Sequence, residues 1–144
     1  MLINLAIAAG MFTITTVIHS VGMIWQEMLF HPREGTLKKF LHDRPVLGIS
    51  TLVIVMFLIL LLEAMVWALT YRLLGAIPDL ETAIYFSMVT YTTLGYGDVL
   101  LEGRWRLLGS IEAANGIIMF GWTTAILMTS IRQIYPADSS GRNR

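Results

Sequence analysis

The sequence contains no cysteine, so disulfide bonds, thiol nucleophiles and cysteine metal sites are excluded for this chain. Charged side chains are also scarce, at 14% of the 144 residues, whereas 56% of the residues are hydrophobic. A soluble domain of this length needs more charge to cover its surface, so the composition indicates a membrane protein. The formal net charge is zero, which gives a nucleic-acid partner no electrostatic support.

The sequence also lacks any arrangement of residues typical of an enzyme or a metal site. The histidines, His19, His31 and His42, are too scattered along the chain to suggest a set of metal ligands. No nucleophile stands near a general base in a recognisable motif. We therefore predict that the chain is not an enzyme and binds no cofactor.

Long apolar stretches are abundant by contrast. Residues 2–25 contain no charged side chain, residues 46–71 contain only Glu63, and residues 107–131 contain only Glu112. A helix needs roughly 20 residues to cross the bilayer core, where only structures that satisfy their own backbone groups are stable. We predict one transmembrane helix for each stretch, at residues 1–25, 46–72 and 107–131.

The segments around these helices leave alternatives open. Residues 1–25 have neither a basic n-region nor an A-x-A cleavage site, which favours a retained helix over a signal peptide. The linker, residues 26–45, has Leu37, Phe40 and Leu41 at helical spacing. This pattern suits a short helix on the membrane surface as well as an ordinary solvated loop. Residues 132–144 form a short polar tail.

A fourth apolar stretch, residues 80–91, is about a dozen residues long and too short to span a bilayer. Asp79 suits the N-cap position, and Glu81 lies in the first turn, where a negative charge favours the helix dipole. We predict a short helix over residues 80–92 that enters the membrane and stops. The residues that follow, Thr-Leu-Gly-Tyr-Gly at positions 93–97, are called the glycine segment below.

The glycine segment has the chemistry needed to hold a dehydrated cation. A potassium ion in a narrow pore exchanges its water for oxygen ligands, which successive backbone carbonyls can supply. Turning those carbonyls the same way requires positive φ angles, which Gly95 and Gly97 reach without strain. The predicted ligands are the carbonyls of Thr93, Leu94, Gly95 and Tyr96, together with the Thr93 hydroxyl. Because the chain has one such segment, a closed ring of ligands requires a homotetramer.

The residues from Tyr85 to Asp98, YFSMVTYTTLGYGD, resemble the pore helix and signature sequence of the potassium channel superfamily. The similarity is to the bacterial two-transmembrane pore modules, here with an extra N-terminal helix, and it covers residues 46–131. It implies an all-α membrane protein with three transmembrane helices, a re-entrant pore helix and a selectivity filter. By the family pattern, the glycine segment coordinates K+, and Thr92 and Asp98 flank it. The expected function is passive, potassium-selective conduction across the bacterial inner membrane.

The resemblance also assigns roles to the last predicted helix. Gly116 resembles the hinge glycine of the inner helix in this family. Ile117, Phe120, Thr124 and Met128 recur at intervals of three and four residues, so they share one helix face. We predict that this face lines the pore.

Several residues beside the glycine segment depart from the family pattern or permit two interpretations. Leu94 replaces the more usual valine or isoleucine, but it supplies its carbonyl regardless. Val89 stands where some bacterial relatives carry a glutamate behind the filter, so a carboxyl pair with Asp98 is absent. Tyr85 and Phe86 form either an aromatic cuff around the filter or ordinary packing between helices.

Two carboxylates, Glu63 and Glu112, lie inside predicted spans, where an ionisable residue is costly and suggests a function. On a helical wheel, Glu112 lies roughly 110° from the predicted lining face. We expect it to hydrogen-bond behind the glycine segment, to Thr90 or Tyr91; the alternative is a solvated position near the outer interface. For Glu63 we expect a structural role within the subunit and a polar partner that the sequence does not identify.

The distribution of basic residues predicts the orientation of the chain. One side has Arg33, Lys38, Lys39, Arg44, Arg132, Arg142 and Arg144, and the other has Arg72, Arg104 and Arg106. The positive-inside tendency then places the linker and C-terminus in the cytoplasm and the N-terminus outside. His31 and His42 would face the cytoplasm, as pH sensors or as solvated bystanders.

Two other functions compete with the channel interpretation. One is a component of a potassium uptake transporter, although such proteins carry four degraded filter repeats in one chain. The other is a non-conducting or regulatory membrane subunit that retains the pore fold. An intact glycine segment argues against both. No helix carries an arginine at every third position, so we predict no voltage sensor, and the gating stimulus stays open.

Overall fold

The computed structural model describes residues 2–30 and 44–134. Within these two stretches the chain is helical and contains no strand. Its elements are α1 (Leu2–Phe30), α2 (Pro45–Leu73), α3 (Leu80–Tyr91), a 3-10 turn (Gly103–Trp105) and α4 (Arg106–Ile134). Several predictions concern positions outside the described residues: the two alternatives for Leu37, Phe40 and Leu41, the role of His31 and His42, and most of the polar tail.

The described part of the chain has 3 helices that are long and apolar enough to cross a membrane. The candidate span in α1 is Leu2–Gln26, and the one in α2 is Val46–Leu73. The third, Gly103–Arg132, comprises the 3-10 turn and most of α4. For the described residues, the predictions of an all-α chain and of three helices able to cross a membrane are therefore confirmed. Helix α1 continues to Phe30, beyond the predicted boundary at residue 25, because no proline or glycine interrupts it there.

A tight turn connects the end of α2 to the start of α3. The turn uses Gly75 at φ +66°, an angle that glycine adopts without steric cost. The amide of Ala76 then donates to the carbonyl of Tyr71 at 3.0 Å, which pairs one of the last carbonyls of the helix. The guanidinium group of Arg72 also donates to the Pro78 carbonyl and fixes the loop before α3.

Helix α3 is short because its N-terminus is capped and its C-terminus runs into the glycine segment. The Asp79 carboxylate accepts hydrogen bonds from the Thr82 amide and hydroxyl, both at 2.7 Å. These bonds, the amide first, hold the pKa of Asp79 below its usual value. With 12 residues, α3 is about 18 Å long, well short of the roughly 30 Å bilayer core. It packs between α2 and α4 and buries Phe86 and Tyr91.

Helix α4 has two different faces. Its buried face includes Glu112, Asn115, Gly116 and Met119, which point towards the other helices of the same chain. Its exposed face carries the residues predicted to line a pore: Ile117, Phe120, Thr124 and Met128. In the most apolar window of each span, 17% of α4 is buried, compared with 44% of α2. Most of the surface of α4 is therefore open in a single chain.

Candidate functional site

The backbone of the glycine segment alternates between two conformations. Thr93, Gly95 and Gly97 have φ angles of +61°, +56° and +81°, and the residues between them do not have positive φ. The positive angle at Thr93 was not expected, because a β-branched residue rarely adopts the left-handed region. The Thr93 amide donates to the Thr90 carbonyl at 2.9 Å, so the end of α3 holds the residue in this strained conformation.

The amides at the start of the glycine segment point back towards α3. Both the Leu94 amide and the Gly95 amide donate to the Val89 carbonyl, at 3.0 and 3.1 Å. Val89 thus contributes its backbone oxygen to the site, whereas the family pattern concerned its side chain. Among residues 2–30 and 44–134, no protein donor bonds to a carbonyl of residues 93–97. These carbonyl oxygens are consequently available to a ligand from outside the chain.

The side chains of the glycine segment lie at the surface of the single chain. Leu94 is 55% exposed and Tyr96 is 67% exposed. At the N-terminal flank, the Thr92 hydroxyl donates to the Met88 carbonyl at 2.7 Å, and Thr92 is the C-cap of α3. The two exposed side chains leave room for a neighbouring chain or another molecule on this side.

The C-terminal flank of the segment is tied to α3 by one hydrogen bond between side chains. The Tyr85 hydroxyl donates to the Asp98 carboxylate at 2.6 Å. This bond holds the pKa of Asp98 below its usual range, so the group is a carboxylate at neutral pH. Phe86, the other cuff candidate, packs edge-to-face on Tyr71 of α2, with ring centroids 5.3 Å apart. The two aromatic residues therefore differ in role.

A small cavity of about 90 Å³ lies between the glycine segment and α3. It is lined by Tyr85, Val89, Gly95, Gly97 and Asp98, among others. The space is large enough for ordered water, and the lining supplies a hydroxyl and a carboxylate as hydrogen-bond partners. The glycine segment is thus held against α3 by the Tyr85–Asp98 bond and by backbone bonds to Val89 and Thr90, beside a cavity with a mainly apolar lining.

Glu112 is fully buried and supports α3 from α4. Its Oε1 lies 2.5 Å from the Ser87 hydroxyl, and its Oε2 accepts a bond from the Tyr71 hydroxyl at 2.7 Å. The expected partners, Thr90 and Tyr91, are not the observed ones, because Glu112 faces the middle of α3 rather than its end. The alternative of a solvated position is also wrong, since the side chain has 0% exposure.

The Ser87 hydroxyl has a second contact that constrains the proton on Glu112. Its oxygen lies 2.6 Å from the Ala64 carbonyl as well as 2.5 Å from Glu112 Oε1. A hydroxyl has one proton and cannot donate to both acceptors. All the oxygens are paired if Glu112 carries a proton and donates it to Ser87, while Ser87 donates to Ala64. The geometry therefore favours a neutral carboxylic acid at this position.

Glu63 is also fully buried, and it connects three helices. Its Oε1 lies 2.9 Å from Nδ1 of His19 on α1, and its Oε2 accepts a bond from the Tyr91 hydroxyl at 2.7 Å. The other ring nitrogen of His19 lies 3.4 Å from the Thr123 hydroxyl on α4. Sequence reasoning missed His19 as a partner, although it is the only ionisable side chain in the apolar stretch of residues 2–25.

Gly116 sits where α4 meets the end of α3. A Cβ atom built on this residue would lie 1.9 Å from the Tyr91 carbonyl oxygen and 2.9 Å from its carbonyl carbon. No side chain fits at such distances, and the obstacle is backbone that cannot rotate away. The contact supplies a reason for glycine at this position that is independent of any bending.

Comparison with known proteins gives one match. A family model described as ion channel matches residues 55–133, which is more than half of the chain. The matched part comprises about the last two thirds of α2, all of α3, the glycine segment and nearly all of α4. No curated protein and no solved structure matches the sequence. Helix α1 lies outside the matched residues.

Proposed function

Because this chain belongs to the ion channel family, we propose that it is one subunit of a homotetrameric channel that conducts K+ passively. The glycine segment forms the selectivity filter of this channel. The observation that carries the proposal is the set of carbonyl oxygens at residues 93–97 that accept no bond from the described residues, on a backbone with alternating positive φ. A backbone carbonyl without a protein donor is costly in a membrane unless a cation or a water molecule interacts with its oxygen instead.

Selectivity for K+ follows from the type and spacing of these ligands. Successive carbonyls, with the Thr93 hydroxyl at the inner end, can replace the hydration shell of K+. The C-terminal end of α3, marked by Thr92, leads directly into the glycine segment. Its partial negative charge favours a cation beside the filter. The Tyr85–Asp98 hydrogen bond supports the outer end of the filter at 2.6 Å.

The surface of α4 supports assembly into a tetramer. This helix is the least buried of the candidate spans, and its mean hydropathy of 1.3 is also the lowest, against 2.8 for α2. A helix with so much exposed surface would be more apolar if lipid covered all of it. Contact with other copies and with a water-filled pore explains both values. Ile117, Phe120, Thr124 and Met128 then line the pore below the filter.

The proposal includes an orientation in the membrane. The N-terminus lies outside, and the linker and C-terminus lie in the cytoplasm of a bacterial cell, in its inner membrane. The Asn4 side chain of α1 bonds to the Arg104 carbonyl just before α4, so these two ends lie on the same side. The filter then opens towards the outer face.

Ion flux from purified full-length chain in liposomes tests the function. We expect K+ efflux down its gradient, with Na+ as the comparison ion, and a tetramer by native mass spectrometry. Gly95→Ala should abolish the K+ flux, because an alanine at φ +56° is strained and would reorient the carbonyls. The matched control is Gly10→Ala on α1, where a Cβ meets nothing within 4 Å.

The results separate the competing functions. Equal flux of K+ and Na+ would contradict a selective filter. No flux of either ion, from a protein that is assembled and folded, would favour a non-conducting or regulatory subunit. Flux that requires energy or a second ion would favour a component of an uptake transporter.

A further inference from the structure

Helix α1 is fixed to the pore module by polar contacts. Four polar side chains lie buried along one face of it: Asn4, Thr15, His19 and Gln26. Thr15 accepts a bond from the Asn115 side chain on α4 at 2.9 Å, and His19 contacts Glu63 on α2 at 2.9 Å. Buried polar residues in a membrane helix specify how it packs, because lipid offers them no partners. Helix α1 therefore has one defined position against α2 and α4.

The contact between His19 and Glu63 is linked by a second hydrogen bond to the end of α3. His19 bonds to one oxygen of Glu63, and the other oxygen of Glu63 accepts a bond from the Tyr91 hydroxyl at 2.7 Å. Tyr91 is the last residue of α3, and only Thr92 separates it from the glycine segment. His19, Glu63 and Tyr91 are almost entirely shielded, at 0%, 0% and 1% exposure. No solvent can replace a partner that is lost from this chain of hydrogen bonds.

Tyr91 is held at two points, and both constrain the start of the glycine segment. Glu63 holds its hydroxyl, and the close approach of Gly116 confines its backbone carbonyl. A shift of the tyrosine ring would move the carbonyls at the end of α3, to which the amides of the glycine segment are bonded. The position of Tyr91 is therefore coupled to the backbone that supplies the proposed ion ligands.

We propose that His19 of α1 is a positioning residue for the filter, and that it acts through Glu63 and Tyr91. The inference rests on the proposed function, and it concerns a residue outside the region matched by the family model. With His19 present, Glu63 has a partner for each oxygen, and its carboxyl group is fixed. Without His19, one buried oxygen loses its partner, and the carboxyl group must rotate to find another, which weakens its bond to Tyr91.

The surroundings of His19 leave Glu63 as its decisive partner. From α2 the facing group is Glu63, and from α4 the neighbours are the Thr123 hydroxyl at 3.4 Å and the Trp122 ring at 5.0 Å between centroids. Neither Thr123 nor Trp122 is ionisable. The contact at 2.9 Å is also the shortest polar contact of His19 with the part of the chain that the structure describes. Replacement of His19 therefore acts first on Glu63.

The test measures the ratio of Na+ flux to K+ flux from tetramers in liposomes. His19→Leu removes the ring nitrogen that contacts Glu63 but fills the space of the ring. We expect the ratio to rise roughly three- to tenfold, because this factor corresponds to the free energy of one buried hydrogen bond. His19→Asn should restore the ratio to near the wild-type value, because its amide nitrogen lies close to the position of Nδ1. Tyr91→Phe removes the hydroxyl at the other end and should reproduce the effect of His19→Leu.

Two controls separate positioning from general loss of structure. Met11 is also buried on α1, and its sulfur accepts a bond from the Thr70 hydroxyl at 3.1 Å. The variant Met11→Leu should leave the flux ratio unchanged. In the double variant of His19→Leu with Tyr91→Phe, the ratio should be no higher than in either single variant, because both act on one path.

The outcomes that overturn the inference are distinct from those that overturn the function. A wild-type protein without K+ flux contradicts the proposed function itself. If the wild type is K+-selective and Tyr91→Phe or His19→Leu keeps its ratio, positioning through this path is refuted. Effects of the two substitutions that multiply in the double variant also refute it, because they would then act separately. Failure of Asn to restore the ratio has the same consequence.

Discussion

Substitution of Gly116 by alanine is the perturbation whose effect can be worked out most directly from the structure. The new Cβ would lie 1.9 Å from the Tyr91 carbonyl oxygen, whereas ordinary contact begins near 3.4 Å. Helix α4 or the end of α3 must therefore move by roughly 1.5 Å. Overpacking of this kind costs typically 1–3 kcal/mol, and the upper end, about 3 kcal/mol, is expected because both sides are backbone.

The assay is thermal unfolding in detergent, followed by tryptophan fluorescence, in parallel with K+ flux. A loss of about 3 kcal/mol lowers the unfolding temperature by on the order of 10 °C in a chain of this length. We also expect reduced flux, since the displaced carbonyl belongs to the residue that ends α3. The control is Gly109→Ala on the same helix, where the nearest atoms to a Cβ are side-chain atoms at 3.4 Å. That variant should unfold at or above the wild-type temperature, because alanine favours helix.

The same measurement separates close packing from a hinge at Gly116. A hinge glycine that bends the helix would change the opening of the channel and leave the unfolding temperature intact. Close packing predicts a lower unfolding temperature even in the absence of any ion gradient. An unfolding temperature within about 2 °C of the wild type would refute the argument from the Tyr91 contact.

Two further predictions concern the side chains that support α3 and the glycine segment. Glu112→Gln should leave the unfolding temperature nearly unchanged, because an amide can donate to Ser87 and accept from Tyr71 as a protonated carboxyl does. Glu112→Leu should lower the free energy of unfolding by about 1–3 kcal/mol, because it leaves the buried Tyr71 hydroxyl unpaired. A loss for the glutamine variant as large as for leucine would contradict the neutral carboxyl. Tyr85→Phe removes the donor that lowers the pKa of Asp98, so the titration midpoint of that carboxyl should rise. The bond stabilises the fold above the ordinary pKa of Asp98, and this contribution disappears as pH falls through the lowered value. Carbon NMR of labelled aspartate would detect the shift, and an unchanged midpoint would contradict the assigned cause.

Much of the architecture could be predicted from the sequence because it depends on local patterns. Apolar stretches of about 24 residues identify the long helices, since the bilayer sets their minimum length. The cap at Asp79 and the short stretch after it identify α3 for equally local reasons. The sequence of the glycine segment predicted membership in a channel family, which the family match confirms. Its role in K+ selectivity stays a prediction.

The contacts behind the glycine segment could not be predicted, because they depend on how the helices rotate against each other. Glu63 meets His19 and Tyr91 across separations of 44 and 28 positions, and no local pattern encodes these pairs. The positive φ of Thr93 contradicts its own conformational preference and exists only because α3 holds it. For Gly116, a hinge and a close contact both require the absence of a side chain, so the sequence alone does not distinguish them.

The polar face of α1 has a consequence for the order in which the protein is made. Three partners of this face, Arg104, Asn115 and Thr123, lie in α4 or in the turn before it. The ribosome synthesises α1 before α4, so the buried polar groups of α1 lack these partners until α4 has entered the membrane. Helix α1 therefore cannot complete its docking until α4 is inserted, and a chain that stalls before α4 leaves Asn4 and Thr15 without these partners, while His19 can still contact Glu63 on α2.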